Sequence, residues 1–221
     1  MKYNTLMLPL EFDIPEVIIL SHQRSGTHFF QSCLMSHPKI RGRGECFDRY
    51  ERARLSRVEC GNEDIALFRN EAGKINVGIL MYNQIPFFES WFGVLRGYKL
   101  IHLIRDPLCI AESMAQHRAN RAYYKEAYRA NYHLNQIPPA NQPFDRRSIL
   151  QYARSVREQQ QYYSCKVEST NEVLTIRYET LTHNQQTSRL SDVYCVEILN
   201  FMNVEIRQLA TNFVKTGVYS G

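Results

Sequence analysis

Val17-Ile-Ile-Leu-Ser-His-Gln-Arg-Ser-Gly-Thr27 runs from continuous apolar, largely β-branched residues into a short polar loop, and a helical pattern follows at once. An uninterrupted apolar run of this kind is expected of a strand buried on both faces in a parallel sheet. From Thr27 to Met35, Phe29, Phe30, Cys33 and Leu34 share one helical face, and His37-Pro38 ends the pattern because residues before proline avoid the helical region. A strand that turns sharply into a helix leaves backbone N–H groups unpaired at the helix start, aimed at whatever fills the turn. Gly26 lets the backbone approach an anion closely, Ser25 and Thr27 add hydroxyl donors, and Arg24 adds a fixed charge with a planar fork of donors. The loop therefore reads as a phosphate or sulfate cradle, although an ordinary strand-to-helix turn has the same composition.

Further strands are expected over Ile75–Tyr82, Tyr98–Ile104 and Val173–Tyr178, with a helix over about Pro86 to Leu95 between the first two. Strands alternating with helical segments give an α/β class: a three-layer, P-loop-like fold with a central parallel sheet flanked by helices. Ligands then belong at the carboxyl ends of the strands. From about 118 to 145 the composition turns to Tyr, Asn, Gln and Arg and runs through Ile137-Pro-Pro-Ala-Asn-Gln-Pro143, which reads as a loop or a mobile lid. Helical spacing resumes at Asp145 with Ile149, Tyr152, Ala153, Val156 and Tyr163, giving a helix over about Arg146 to Cys165. Ile198, Leu199, Phe201 and Met202 mark a final helical region.

The 221 residues, 44% hydrophobic, suffice for one domain spanning 1–221. A net charge of +5 is spread along the chain, which favours an anionic ligand over a nucleic-acid tail. Six cysteines, Cys33, Cys46, Cys60, Cys109, Cys165 and Cys195, have neither zinc-site pairing nor the density of a disulfide scaffold, so they read as reduced. His22, His37, His102 and His117 lack partners at metal spacing, and no metal site is expected. The apolar run at Met1–Leu10 is too short for a signal peptide, and no segment is long enough to span a bilayer. A cytoplasmic protein with no membrane and no nucleic-acid partner is the expectation, with homodimer formation left open.

A second candidate anion site lies in Leu103-Ile-Arg-Asp-Pro-Leu-Cys-Ile-Ala-Glu-Ser-Met114. Arg105 ends a strand, Pro107 suits the first turn of a helix, and Ser113 returns to nearly the azimuth of Arg105. Together they could hold a second phosphate; a solvated Arg105–Asp106 pair beside a surface serine is the plainer reading.

Arg24-Ser-Gly-Thr27 after the first strand, Arg105-Asp-Pro with Ser113 eight residues on, and Ile176-Arg-Tyr-Glu-Thr-Leu181 together resemble the sulfotransferase superfamily, over about Ile14 to Val204. That family uses 3′-phosphoadenosine 5′-phosphosulfate (PAPS) as donor. The resemblance implies that Arg24, Ser25, Gly26 and Thr27 form a 5′-phosphosulfate loop, that Arg105 and Ser113 hold the 3′-phosphate, and that Tyr178 lies in the same cofactor site. The arginine in the loop, and Glu45 within Arg41-Gly-Arg-Gly-Glu-Cys-Phe47, are similar to the trehalose-type and tyrosylprotein branches, where a glutamate in this place is the general base. Glu45 could equally be a loop carboxylate that neutralises Arg41 or Arg43.

Two departures stand out. Relatives of the trehalose type commonly carry a lysine where Ile79 or Leu80 stands, leaving Lys74 or nothing to supply that charge. His28 replaces a usual threonine or serine; its ring could bind the donor or stay solvated beside the helix start. Lys215-Thr-Gly217 is a loose match to a late cofactor contact.

The implied reaction is in-line transfer of a sulfuryl group from PAPS to an acceptor hydroxyl, with Arg24 at the leaving oxygen and Glu45 taking the proton. It requires no metal. A carbohydrate acceptor fits a polar segment that offers aromatic stacking surfaces. One rival is a nucleotide kinase-like P-loop phosphotransferase, against which stands the absence of a Gly-x-x-x-x-Gly-Lys-[Ser/Thr] run. Another is a non-catalytic protein that binds nucleotide or an anionic polymer through the Arg/Tyr-rich stretch from 118 to 133.

Overall fold

The computed structural model describes residues 13–47, 69–82, 84, 96–129, 145–169, 171–181 and 189–211. Within these, five strands form one sheet: β1 (Val17–Ser21), β2 (Ile40–Gly42), β3 (Ile75–Met81), β4 (Lys99–Ile104) and β5 (Glu172–Arg177). Every pairing is parallel, and the order is β2-β3-β1-β4-β5. The helices are α1 (Thr27–Leu34), α2 (Pro107–Arg129), α3 (Arg146–Glu168) and α4 (Asp192–Phe201).

The first strand is the centre of the sheet, and all five of its residues are buried. Side chains alternate across a strand, so β1 feeds both layers. Val17 and Ile19 join Val77, Ile79, Ile101, Leu103 and Ile176 beneath Phe30 and Leu34 of α1 and Ile198 and Leu199 of α4. Ile18 and Leu20 join Leu80, Leu100, Cys46, Phe47 and Val167 of α3 on the other face. Each fully buried Ile, Leu or Phe contributes about 1.5–3 kcal/mol. The middle strand, apolar on both sides, therefore anchors the loop that follows it.

Chain direction sets the position of the site. After β1 the chain leaves through α1 on one face, and after β4 it leaves through α2 toward α3, which packs on the opposite face. Adjacent parallel strands whose exits diverge leave a crevice at their carboxyl ends. Ser21 lies beside Leu103 in the register, so the segments from His22 and from Ile104 emerge at that crevice together.

The short strand β2 was not anticipated; three residues are too few to show a period. The loop expected from 118 is helical up to Arg129, since α2 runs unbroken over 23 residues. Composition alone does not separate a polar helix from a polar loop. The rest of that segment up to 144, the helix expected at Pro86–Leu95, and Lys215–Gly217 lie outside the described residues.

Candidate active site

The loop after β1 is bent by two left-handed residues, Arg24 at φ 67° and Gly26 at φ 85°. A left-handed arginine costs about 1–2 kcal/mol and persists only where its surroundings hold it. Arg105 does so from the end of β4, its Nη1 donating to the Arg24 carbonyl at 2.8 Å. Arg24 Nε in turn donates to Ser113 Oγ on α2 at 3.3 Å. Arg24, Arg105 and Ser113, separate in sequence, thus meet at one place.

Tyr178 closes the cluster from the far side. It follows β5, and the Arg105 guanidinium lies 4.8 Å from its ring centroid. The same ring lies so close to Gly26 that an added Cβ would stand 2.0 Å from Cε2. Phe29 of α1 supports it edge-on at 6.3 Å. Thr27, first residue of α1, is buried, and Ser25 is fully buried with an Oγ that has no hydrogen-bond partner among the described residues. A buried hydroxyl is normally satisfied, and an orphan here fits a site built for a hydrogen-bonding ligand.

The Arg105–Asp106 pair of the plainer reading gives way to a cap. Asp106 Oδ1 accepts from the N–H groups of Leu108 and Cys109 at 2.9 and 3.0 Å and starts α2, while its own N–H donates to Glu179. The guanidinium of Arg105 is left to the loop and to Tyr178.

Glu45 stands beside α1, near His28 and Gln31. Gln31 sets its backbone: Nε2 donates to the Val77 carbonyl at 2.9 Å and Oε1 accepts from Gly44 N at 3.2 Å. The His28 ring, exposed on the first turn of α1, places Nε2 3.3 Å from Glu45 Oε1. The amide of Gln84 places Nε2 3.5 Å from Glu45 Oε2. Arg41 faces Glu71, and Arg43 reaches the Asp13 carbonyl and Asn70. Lys74 bonds the Pro38 carbonyl just before β3, so the length of that strand, about 20 Å, separates it from the carboxyl edge. It does not supply the charge missing at Ile79 and Leu80.

Behind the loop, His22 gives an edge to Tyr82 and to Tyr152, both at 5.9 Å, and Arg118 lies over Tyr152. Burial lowers the His22 pKa. Tyr82 also bonds His102, fully buried in β4, whose pKa burial drives down to about 4. Gln31 and Gln84 were missed at the sequence level because a lone glutamine carries no motif. Only its place at a strand end could have flagged Gln84. Among the described residues no group of three His, Cys, Asp or Glu could hold a metal ion.

No protein-family model and no curated protein sequence matches the chain. Solved structures do. A sulfotransferase from Alicyclobacillus acidocaldarius aligns at 15% identity and a TM-score of 0.52, over 93% of this chain and 87% of that one. The sulfotransferase domain from the curacin biosynthetic pathway aligns at 16% and 0.55, covering 89% and 76%. The sulfotransferase domain from the Synechococcus PCC 7002 olefin synthase aligns at 15% and 0.52, covering 89% and 75%. The chain shares the P-loop-like α/β fold of these sulfotransferases.

Proposed function

We propose that the chain is a single-domain PAPS-dependent sulfotransferase acting on a hydroxyl acceptor, with carbohydrate as the favoured class. The observation that carries this reading is the cradle at the crevice: the buried orphan Ser25 Oγ beside Gly26, with Arg24, Arg105 and Ser113 converging under Tyr178. These residues fit a ligand with two anionic ends. Ser25, Gly26 and Thr27 would take the 5′ end, Arg105 and Ser113 the 3′-phosphate, and Arg24 would face the leaving oxygen.

When bound, PAPS supplies an activated sulfuryl group. The acceptor oxygen forms its bond to sulfur, the sulfur–oxygen bond to the phosphate breaks, and the hydroxyl proton passes to Glu45. The loop N–H groups are preorganised donors for the charge that grows on the leaving oxygen, and Arg24, whose Nε is engaged with Ser113 Oγ at 3.3 Å, would reach that oxygen with its terminal nitrogens. His28 sits between the loop and Glu45, able to serve either. The thiols of Cys33, Cys109, Cys165 and Cys195 are compatible with a reducing, cytoplasmic setting.

A thermal-shift panel tests the donor assignment. Adenosine 3′,5′-bisphosphate without magnesium should raise the melting temperature, and at a hundredfold excess over Kd the gain is about 2.7 kcal/mol. A preference for magnesium ATP would support the kinase reading instead. Transfer of labelled sulfate from PAPS to a panel of sugars, peptides and small hydroxyl compounds then identifies the acceptor; binding without transfer to any of them would favour a non-catalytic binder.

A further inference from the structure

Gln84 is almost fully buried just past the end of β3, at the crevice rim, and its amide is locked. Oε1 accepts from the Met81 backbone N–H at 2.8 Å. An N–H needs an acceptor, so the amide cannot turn over without facing donor against donor. Nε2 is therefore forced toward Glu45 Oε2, at 3.5 Å. The other oxygen, Oε1, faces His28 Nε2 at 3.3 Å.

Resting on the reading of Glu45 as proton acceptor, we propose that Gln84 is a positioning residue: it ties the Glu45 carboxylate to the end of β3 and fixes the direction from which the proton is received. Glu45 directly follows left-handed Gly44, whose N–H donates to Gln31 Oε1, a backbone contact that leaves the direction of the Glu45 side chain to its side-chain partners. Misplacing a base by about 1 Å can cost a hundredfold in rate. The 3.5 Å contact is long, as catalytic hydrogen bonds often are before the ligands are bound.

Two variants test this. Gln84→Glu keeps an oxygen for the Met81 N–H but sets a second carboxyl against Glu45; Gln84→Leu removes both contacts and serves where it folds. Each should lower kcat at least tenfold while KM for PAPS stays within twofold. Neither should lower turnover further in a Glu45→Gln background, because Gln84 acts through Glu45. A kcat within twofold of wild type, or an equal additional loss in the Glu45→Gln background, would overturn the assignment. A wild-type chain that transfers no sulfate to any acceptor would instead remove the sulfotransfer reading. The crystal structure of Gln84→Glu then decides the positioning role alone: a Glu45 carboxylate turned off its present position supports it, and one still within hydrogen-bond reach of His28 overturns it.

Discussion

Gly26 is required twice over, once by its φ of 85° and once by the Tyr178 ring that an added Cβ would strike. Gly26→Ala should therefore cost roughly 2–5 kcal/mol, the sum of left-handed strain and overpacking, and should abolish stabilisation by adenosine 3′,5′-bisphosphate. Gly73, at φ 76° with open space around it, is the control. Its alanine variant should lose only the backbone part, about 1–2 kcal/mol, and bind the bisphosphate normally. Equal losses at the two sites, by denaturant titration, would show that Tyr178 yields freely. Glu45→Gln belongs to the same scale: turnover should fall about 10²- to 10⁴-fold with bisphosphate affinity unchanged, and near-normal turnover would remove Glu45 as base. Arg105→Ala deletes both the bond to the Arg24 carbonyl and the cation on the Tyr178 face. Affinity for the bisphosphate should drop at least tenfold by calorimetry, since a charge-assisted hydrogen bond contributes about 1.5–3 kcal/mol.

Among the elements, α2 matters most to the site because its start and its second turn both touch it. Asp106 caps the first turn, Pro107 occupies the position where no N–H is missed, and Ser113 reaches Arg24. Asp106→Ala should cost about 1 kcal/mol of stability. It should also weaken bisphosphate binding several-fold without touching the ligand, because fraying at the helix start moves Arg105 and Ser113 together. Unchanged binding in the capless variant would mean that Arg105 is held independently of the cap, by Tyr178, the Arg24 carbonyl and Gln160, whose Nε2 donates to the Arg105 carbonyl at 2.8 Å. The order Arg-Asp-Pro was legible as a strand end and helix start, whereas the continuation of α2 to Arg129 was not. A polar stretch carries no apolar period for the sequence to display.

At the scale of the whole molecule, the layer holding α3 carries a polar chain, buried Tyr82 to buried His102 to half-buried Ser164, inside a largely apolar sheet face. His102 stays neutral because charging it would strand a cation there, so its pKa falls from 6.5 to about 4. In the unfolded chain it titrates normally, so between these values the unfolded state binds the extra proton. Stability contributed by the neutral ring is complete above pH 6.5 and is lost as pH falls toward 4, by on the order of 3 kcal/mol. His22, also lowered by burial, acts in the same direction. Melting temperatures between pH 7 and 4.5 should fall steadily, and His102→Asn should flatten part of that slope; an unaltered slope would place the sensitivity elsewhere. By itself the sequence determined the α/β class, the first strand and the turn into the helix after it, and the Arg105 strand end, because each is written in contiguous residues whose spacing is set by local backbone geometry. Only the tertiary structure decided that Arg24 and Ser113 touch, that Tyr178 roofs Gly26, and that Glu45 stands between His28 and Gln84. Those contacts join residues up to 152 positions apart, and what brings them together is strand order and the register of adjacent carboxyl ends, which no single stretch of chain encodes.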